Sequence, residues 1–384
     1  MKIALTSLGV NIVGLLLMSS AGAAQSQPVP PGTDVHGDPL PDGALVRIGT
    51  LRWRHAGAVT YVAFPPDANT VLTAGRDDVI RIWDRKAGKE FRRFSIPTVA
   101  VPPDSREPNS YPPSFAISQD GKLLAALSRK NEIIYVWDAA TGKLRLQVSS
   151  TVLDNRGLTS GVAVVFSPDG KTLALRMIDR GVLLLDTQTG KTIRQIKFQP
   201  RKAGQGVIAF VSAGDGAGIA FSQDSKTLAT VESEPNDSHY VKLVGVETGK
   251  VRIIDSPKRR ASGLAFSADG KYLAYGTFKS IHICSAETSK ELRRIKSPMT
   301  TAKLLCFAPD GKTIAAKGID LSVEVFDVES AASLGRVRAP AHDAKMYYYP
   351  GVDEGRDVCF SRDGKTIAGA DRHTVRFYDA PSRR

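Results

Sequence analysis

Cysteine is scarce in this sequence. Among 384 residues there are three, Cys284, Cys306 and Cys359, and an odd count excludes a complete disulfide framework. Histidine is sparse too. The six residues include no HxxxH or HxH pair, the spacing that would offer two imidazoles to one metal ion. His342-Asp343 stands alone in a predicted loop and reads as a solvated polar pair. No G-x-S-x-G elbow is present to raise a serine nucleophile. "GKT" begins at Gly170, Gly190, Gly311 and Gly364, yet the glycine that a phosphate loop needs five residues upstream is Val165, Leu185, Cys306 or Cys359. Neither a catalytic residue, a metal site nor a cofactor is therefore expected.

Long apolar runs are also missing, with one exception. Ile3 to Met18 is largely apolar behind Lys2 and is followed by "SSAGAA". A basic start, a short apolar stretch and small residues of the A-x-A kind have the form of a secretion signal. Residues 1–24 are expected to be a signal peptide, which makes the protein exported, periplasmic or secreted. Cleavage would leave no transmembrane span. Retention as a membrane anchor is the alternative, weakened by Asn11 within the run and by the lack of a basic cluster after it. Residues 25–44 form a Pro-rich flexible lead-in.

Turn formers are plentiful, with 34 glycines and 22 prolines. An "F-S-P-D-G-K"-like turn recurs with its aspartate at Asp67, Asp120, Asp169, Asp224, Asp269, Asp310 and Asp363. Three residues before each stands Phe64, Ile117, Phe166, Phe221, Phe266, Phe307 or Phe360. A second landmark follows each turn: Trp83-Asp84, Trp137-Asp138, Leu185-Asp186, Val244-Gly245, Cys284-Ser285, Phe326-Asp327 and Tyr378-Asp379. Segments such as "VTYVAF", "VIRIWD" and "EFRRF" are too short for helices, rich in β-branched and aromatic residues, and bounded by turn residues. Each unit reads as four strands. Units of this kind at 41 to 55 residue intervals predict an all-β, seven-bladed β-propeller over residues 45–384. Cys306 and Cys359 fall at equivalent places in it. Such places on neighbouring packed sheets lie roughly 10 Å apart, beyond disulfide reach, so buried free thiols are expected.

The stretches "GRDDVIRIWDRKAGK" (Gly75–Lys89) and "EIIYVWDAATGK" (Glu132–Lys143) resemble the WD-repeat β-propeller family. The resemblance covers about residues 45 to 380. It implies that His55, an aspartate at Asp77 or Asp78, and Trp83 lock blade one by hydrogen bonding, with Trp137 as the landmark of blade two. The other blades carry no comparable histidine, and blades four and five lose the Trp-Asp pair, so apolar packing is expected to hold them. The seventh unit reads as three strands. The orphan segment "LVRIGTLRWRH" (Leu45–His55) is expected to supply its fourth and close the ring.

The formal charge of +13 has a structural explanation in this layout. Each predicted fourth strand carries arginine, where positive side chains discourage edge-to-edge aggregation, so most of the charge is expected to be a solvated rim. The long inserts all fall in fourth-to-first or second-to-third connections, on one face of the disc. They are Ile96–Ser114, Pro200–Ala217, Val231–Tyr240 and Pro340–Asp357, with formal charges −1, +1, −3 and −2. Elaborated loops on a rigid scaffold are where binding usually resides. Met346, Tyr347, Tyr348 and Tyr349, with Tyr111 and Arg106, are the candidate partner-binding residues, since such side chains are favoured interface anchors. A non-catalytic, monomeric scaffold for protein or peptide partners is expected, and nucleic acid is not. The rivals are an enzyme or small-ligand site in the central channel, and a basic module for an anionic cell-surface polymer.

Overall fold

The computed structural model describes residues 53–67, 69–97, 114–128, 133–149, 161–177, 181–198, 218–233, 239–254, 261–318, 322–337, 358–371 and 374–381. Their regular elements are β-strands, without an α-helix. Seven blades form a β-propeller. Blade one is Val59–Ala63, Thr70–Gly75, Val79–Asp84 and Glu90–Ser95, paired antiparallel in chain order. Blades two, three and four repeat that order. In blade five Tyr272–Ser285 doubles back at Lys279, whose φ is 58°, so that Ala286 N donates to Lys271 O at 2.9 Å. Glu291–Phe307 then runs from the fourth strand of blade five into the first strand of blade six.

Blade seven has three described strands, Val358–Phe360, Thr366–Asp371 and Thr374–Asp379. Most of the predicted closing strand, 45–52, lies outside the described residues. Trp53 is within them and packs edge-on against Phe377 of blade seven, ring centres 4.7 Å apart. Val59, Val62 and Val71 of blade one share a buried cluster with Ala368, Ala370 and Val375 of blade seven. Blades one and seven are therefore neighbours in the ring, joined by this apolar cluster and by Arg85 Nη2, which donates to Thr366 Oγ1 at 2.7 Å.

The core is a series of interfaces between blades. A single sheet has no means of covering both its faces, so each blade buries them against its neighbours. The central strands read as nearly unbroken apolar runs for that reason: Thr172–Met177 is buried at every position. Two buried cations cross between blades at matching places, seven residues after the turn aspartate. Arg176 Nη2 donates to Val231 O at 3.1 Å, and Lys317 Nζ donates to Ala370 O. Each satisfies a carbonyl of the following blade.

No disulfide joins the three cysteines. Cys306 packs into the cluster between blades six and seven, and Cys359 into the one between blades seven and one. The side chains thus point the same way around the ring rather than at each other. One expectation needs correction: Cys284 is buried, but Cys306 and Cys359 are only half-buried, because first strands border the channel.

Candidate functional site

Two buried polar networks and one crowded channel mouth are the chemically distinctive parts of the described propeller. In blade one, Trp83 Nε1 donates to Thr73 Oγ1 at 2.6 Å. Thr73 Oγ1 lies 2.7 Å from His55 Nε2, and His55 Nδ1 lies 2.9 Å from Asp77 Oδ1. An indole nitrogen can only donate. The Thr73 hydroxyl accepts it and shares a second hydrogen bond with Nε2, while Nδ1 faces Asp77. Arg81 bridges outward, donating from Nη1 to Asp77 Oδ2 at 2.7 Å and from Nε to Glu90 Oε2 at 3.0 Å. Its Nη1 also lies 2.8 Å from His55 Nδ1. Glu90 also pairs with Arg93.

Burial holds the His55 pKa below its ordinary value, against the opposing pull of Asp77. Near neutral pH the ring is therefore uncharged. Burial alone would raise the Asp77 carboxyl. The bonds and charges of His55 and Arg81 outweigh it and hold the group at about 2. The aspartate that completes the lock is Asp77; Asp78 beside it makes the turn, with φ 57°. His55, Asp77 and Trp83 come together as the family resemblance implied. Thr73, which links the histidine to the tryptophan, was not legible, since the sequence contains many strand threonines. Trp137 is buried without that network. Ala126 occupies the place of Thr73, and Tyr135 stacks on the indole at 5.6 Å instead.

Blade five corrects the expectation that apolar packing alone would hold it. His282, from its third strand, is buried; its Nε2 lies 3.0 Å from Thr277 Oγ1 and its Nδ1 2.9 Å from Glu291 Oε2. Tyr275 stacks flat on the imidazole, centres 4.6 Å apart and planes 2° apart. Glu291 is held in turn by Arg294 at 3.0 Å. Burial lowers the His282 pKa, opposed by Glu291. Cys284 beside it is pushed up to about 12 by burial, which leaves an inert thiol rather than a nucleophile.

The rim also departs from expectation. Arg92 donates to Ala139 O at 3.1 Å and to Ala140 O. Arg194 donates to Val246 O at 3.1 Å and Glu247 O at 2.6 Å, and Arg252 to Ala286 O at 3.2 Å and Glu287 O. In each case a fourth-strand guanidinium grips the third-to-fourth turn of the next blade. These three are not a merely solvated rim. They satisfy carbonyls across blade boundaries, a task suited to a planar five-donor fork.

The face formed by the first-to-second and third-to-fourth turns is compact. Asp120, Asp169, Asp224, Asp269 and Asp363 each accept a hydrogen bond from the serine two residues before. Asp138, Asp186 and Asp327 accept from the backbone N–H three residues on. At the channel, side chains of separate turns meet. Gln223 Nε2 of blade four donates to Gln119 Oε1 of blade two at 3.1 Å, and Arg362 Nη2 of blade seven donates to Gln119 O at 3.0 Å. Gly121 sits so close to Pro66 of blade one that an added Cβ would lie 2.4 Å from its ring, and its φ of 73° favours glycine as well. These bonds bridge that mouth of the channel. Tyr347, Tyr348, Tyr349, Met346, Tyr111 and Arg106, expected on the opposite face, lie outside the described residues.

The family profile "WD domain, G-beta repeat" matches residues 46–84, the segment that carries the His55–Trp83 lock. The chain is 28% identical to the WD repeat-containing protein SL1-17 of Schistosoma mansoni, over 47% of this chain and 53% of that protein. It is 26% identical to Periodic tryptophan protein 2 of Arabidopsis thaliana, over 70% of this chain and 29% of that protein. It is 23% identical to Pre-mRNA-processing factor 17 of Saccharomyces cerevisiae, over 67% and 54% respectively. The chain spans about half or less of the length of these relatives.

Proposed function

Because the chain is a WD-repeat β-propeller protein, we propose that it is a non-catalytic scaffold that binds protein or peptide partners through the face carrying the fourth-to-first and second-to-third connections. The observation that supports this most is the contrast with the opposite face. There the turn aspartates spend their oxygens on their own turns, and the channel mouth is bridged by Gln119, Gln223 and Arg362. A partner approaching that side meets carboxylates already bonded within their turns, and exposed turn lysines such as Lys143, Lys171, Lys191, Lys226 and Lys365. In this reading the long inserts belong to the other side and offer tyrosine, methionine and carboxylates. Two relatives are named for their repeats rather than for a reaction, in keeping with a binding role.

The partner-binding residues of this reading are Tyr347, Tyr348 and Tyr349 with Met346, supported by Tyr111 and Arg106 of another insert. In this reading the protein is monomeric without its partner and is exported by residues 1–24. A pull-down from envelope fractions would compare the wild type with a variant in which the three tyrosines are serine. Partner capture should fall about thirtyfold if one ring is a hot spot, with the melting temperature within a few degrees. Lys197→Glu with Lys296→Glu serves as the rim control and should alter capture far less. Tyrosine loss without effect would refute the loop face. Capture that disappears steeply with salt and with the lysine reversals would move the site to an anionic polymer on the rim.

A further inference from the structure

Six large hydrophobic side chains of the described residues are exposed: Phe91, Leu144, Ile193, Val251, Ile253 and Leu292. All six lie in fourth strands, the outer edges of blades one to five. A fourth strand has two faces, because successive side chains alternate. One face grips the next blade, through Arg92 and Phe94, Arg194 and Ile196, or Arg252 and Ile254. The other face is open.

The open positions differ among blades. Blade one shows Phe91 and Arg93, blade two Arg145 and Gln147, blade three Ile193 and Lys197, and blade five Leu292, Arg294 and Lys296. Each includes a cation, the usual guard against a foreign strand on a sheet edge. Blade four shows Val251 and Ile253, 52% and 53% exposed, and among the described positions on that face of its fourth strand there is no cation. Among the described residues, Val251–Ile254 has a hydrogen-bonded neighbour strand on one side only.

We propose that the free edge of Val251–Ile254 is a docking site for an extended segment of a partner protein in which apolar and acidic residues alternate, added to blade four as a fifth strand. Strand addition takes affinity from main-chain hydrogen bonds and specificity from alternate side chains. Apolar residues of the incoming segment cover Val251 and Ile253. Its acidic residues fall on the other side of the added strand, towards Arg252, which also grips Ala286 O and Glu287 O, with Lys250 at the strand's start; Lys250–Ile254 contains no acidic residue, the first being Asp255. Lys242 lies directly across from Ile253, although it also pairs with Glu232. The charge pattern selects this occupant over a second copy of the chain, which would set Lys250 and Arg252 against their like. A polyanion without apolar groups would leave both aliphatic side chains wet. The site uses none of Tyr347, Tyr348, Tyr349, Met346, Tyr111 and Arg106, and does not depend on the loop-face reading.

The test uses the purified full chain and a fluorescein-labelled peptide alternating valine and glutamate, followed by anisotropy. The peptide should bind, and Val251→Ser with Ile253→Ser should weaken it about tenfold or more without lowering the melting temperature. The same peptide N-methylated at alternate residues should lose binding, since that removes the ladder donors and leaves the charges. Three results would overturn the proposal: no binding by the valine–glutamate peptide, equal binding by a valine–lysine peptide or by polyglutamate, or indifference to the double substitution. A sedimentation shift showing wild-type self-association that the double substitution abolishes would assign the edge to a second copy, and likewise overturn it. The tyrosine variant of the loop face should bind this peptide as the wild type does, so the two readings fail separately.

Discussion

Blades one and five build the same layer of the propeller from opposite choices. Blade one places the large residue on its third strand, Trp83, against the small Thr73 of the second. Blade five places the large residue on the second strand, Tyr275, against the small Cys284 of the third. Both large side chains are fully buried. Each blade then adds a histidine beside the pair: His55 from before the first strand, and His282 from the third strand at the place of Arg81. Glu90 and Glu291 anchor the outer end of both networks, each held by an arginine three residues on. The lesson is that the blade keeps a filled volume and a satisfied polar chain, and either strand can supply the bulk.

The largest effect should come from breaking this symmetry of volume. Trp83→Ala removes a buried aromatic and should destabilise by about 3–5 kcal/mol, whereas Cys284→Ala should cost about 1 kcal/mol, as the bulk of blade five resides in Tyr275. Urea unfolding monitored by circular dichroism would measure both. Equal losses would mean that the two blades do not exchange volume in this way.

An intermediate effect should come from pH. Burial lowers the pKa of His55 and His282 below 6.5. Each therefore takes up a proton more readily in the unfolded chain, so stability is fully present above about pH 6.5 and declines as pH falls through the folded value. Asp77, held at about 2 against an ordinary 3.8, contributes stability above pH 3.8 that is lost as pH falls towards 2. The melting temperature should thus decline in two stages on acidification. His55→Gln and His282→Gln should each flatten the upper stage. If neither does so, the histidines are not the groups that couple folding to pH in that range.

The smallest effect separates the rim arginines. Arg92→Ala breaks bonds to two carbonyls of blade two and should cost about 1–2 kcal/mol. Lys296→Ala, on the exposed face of its strand, should change stability by less than about 0.5 kcal/mol. Differential scanning calorimetry would resolve the pair, and equal values would return Arg92 to a solvated role.

Much of the site's framework could be read directly. His55, Asp77 and Trp83 stand where the family resemblance put them, because a short turn-bounded unit fixes which strand positions face each other. Thr73 and Arg81 were not legible, since their roles depend on a cross-strand register that no local pattern marks. His282 was missed because its partners, Thr277 and Glu291, come from the strands on either side of it. The arginines of the fourth strands were visible as a recurring feature, but their acceptors belong to the next blade, 34 to 53 residues on.

What the sequence determined by itself is the count of units, the four-strand reading of each and the all-β class. These follow from alternation and turn chemistry over a short span of chain, the range in which backbone geometry is local. What only the tertiary structure decided is everything that crosses a blade boundary: the bridged channel mouth at Gln119, the grip of Arg92, Arg194 and Arg252, and the direction of each cysteine. Those depend on how separate sheets stack around the ring, and a side chain's partner there is chosen by packing in space rather than by distance along the chain.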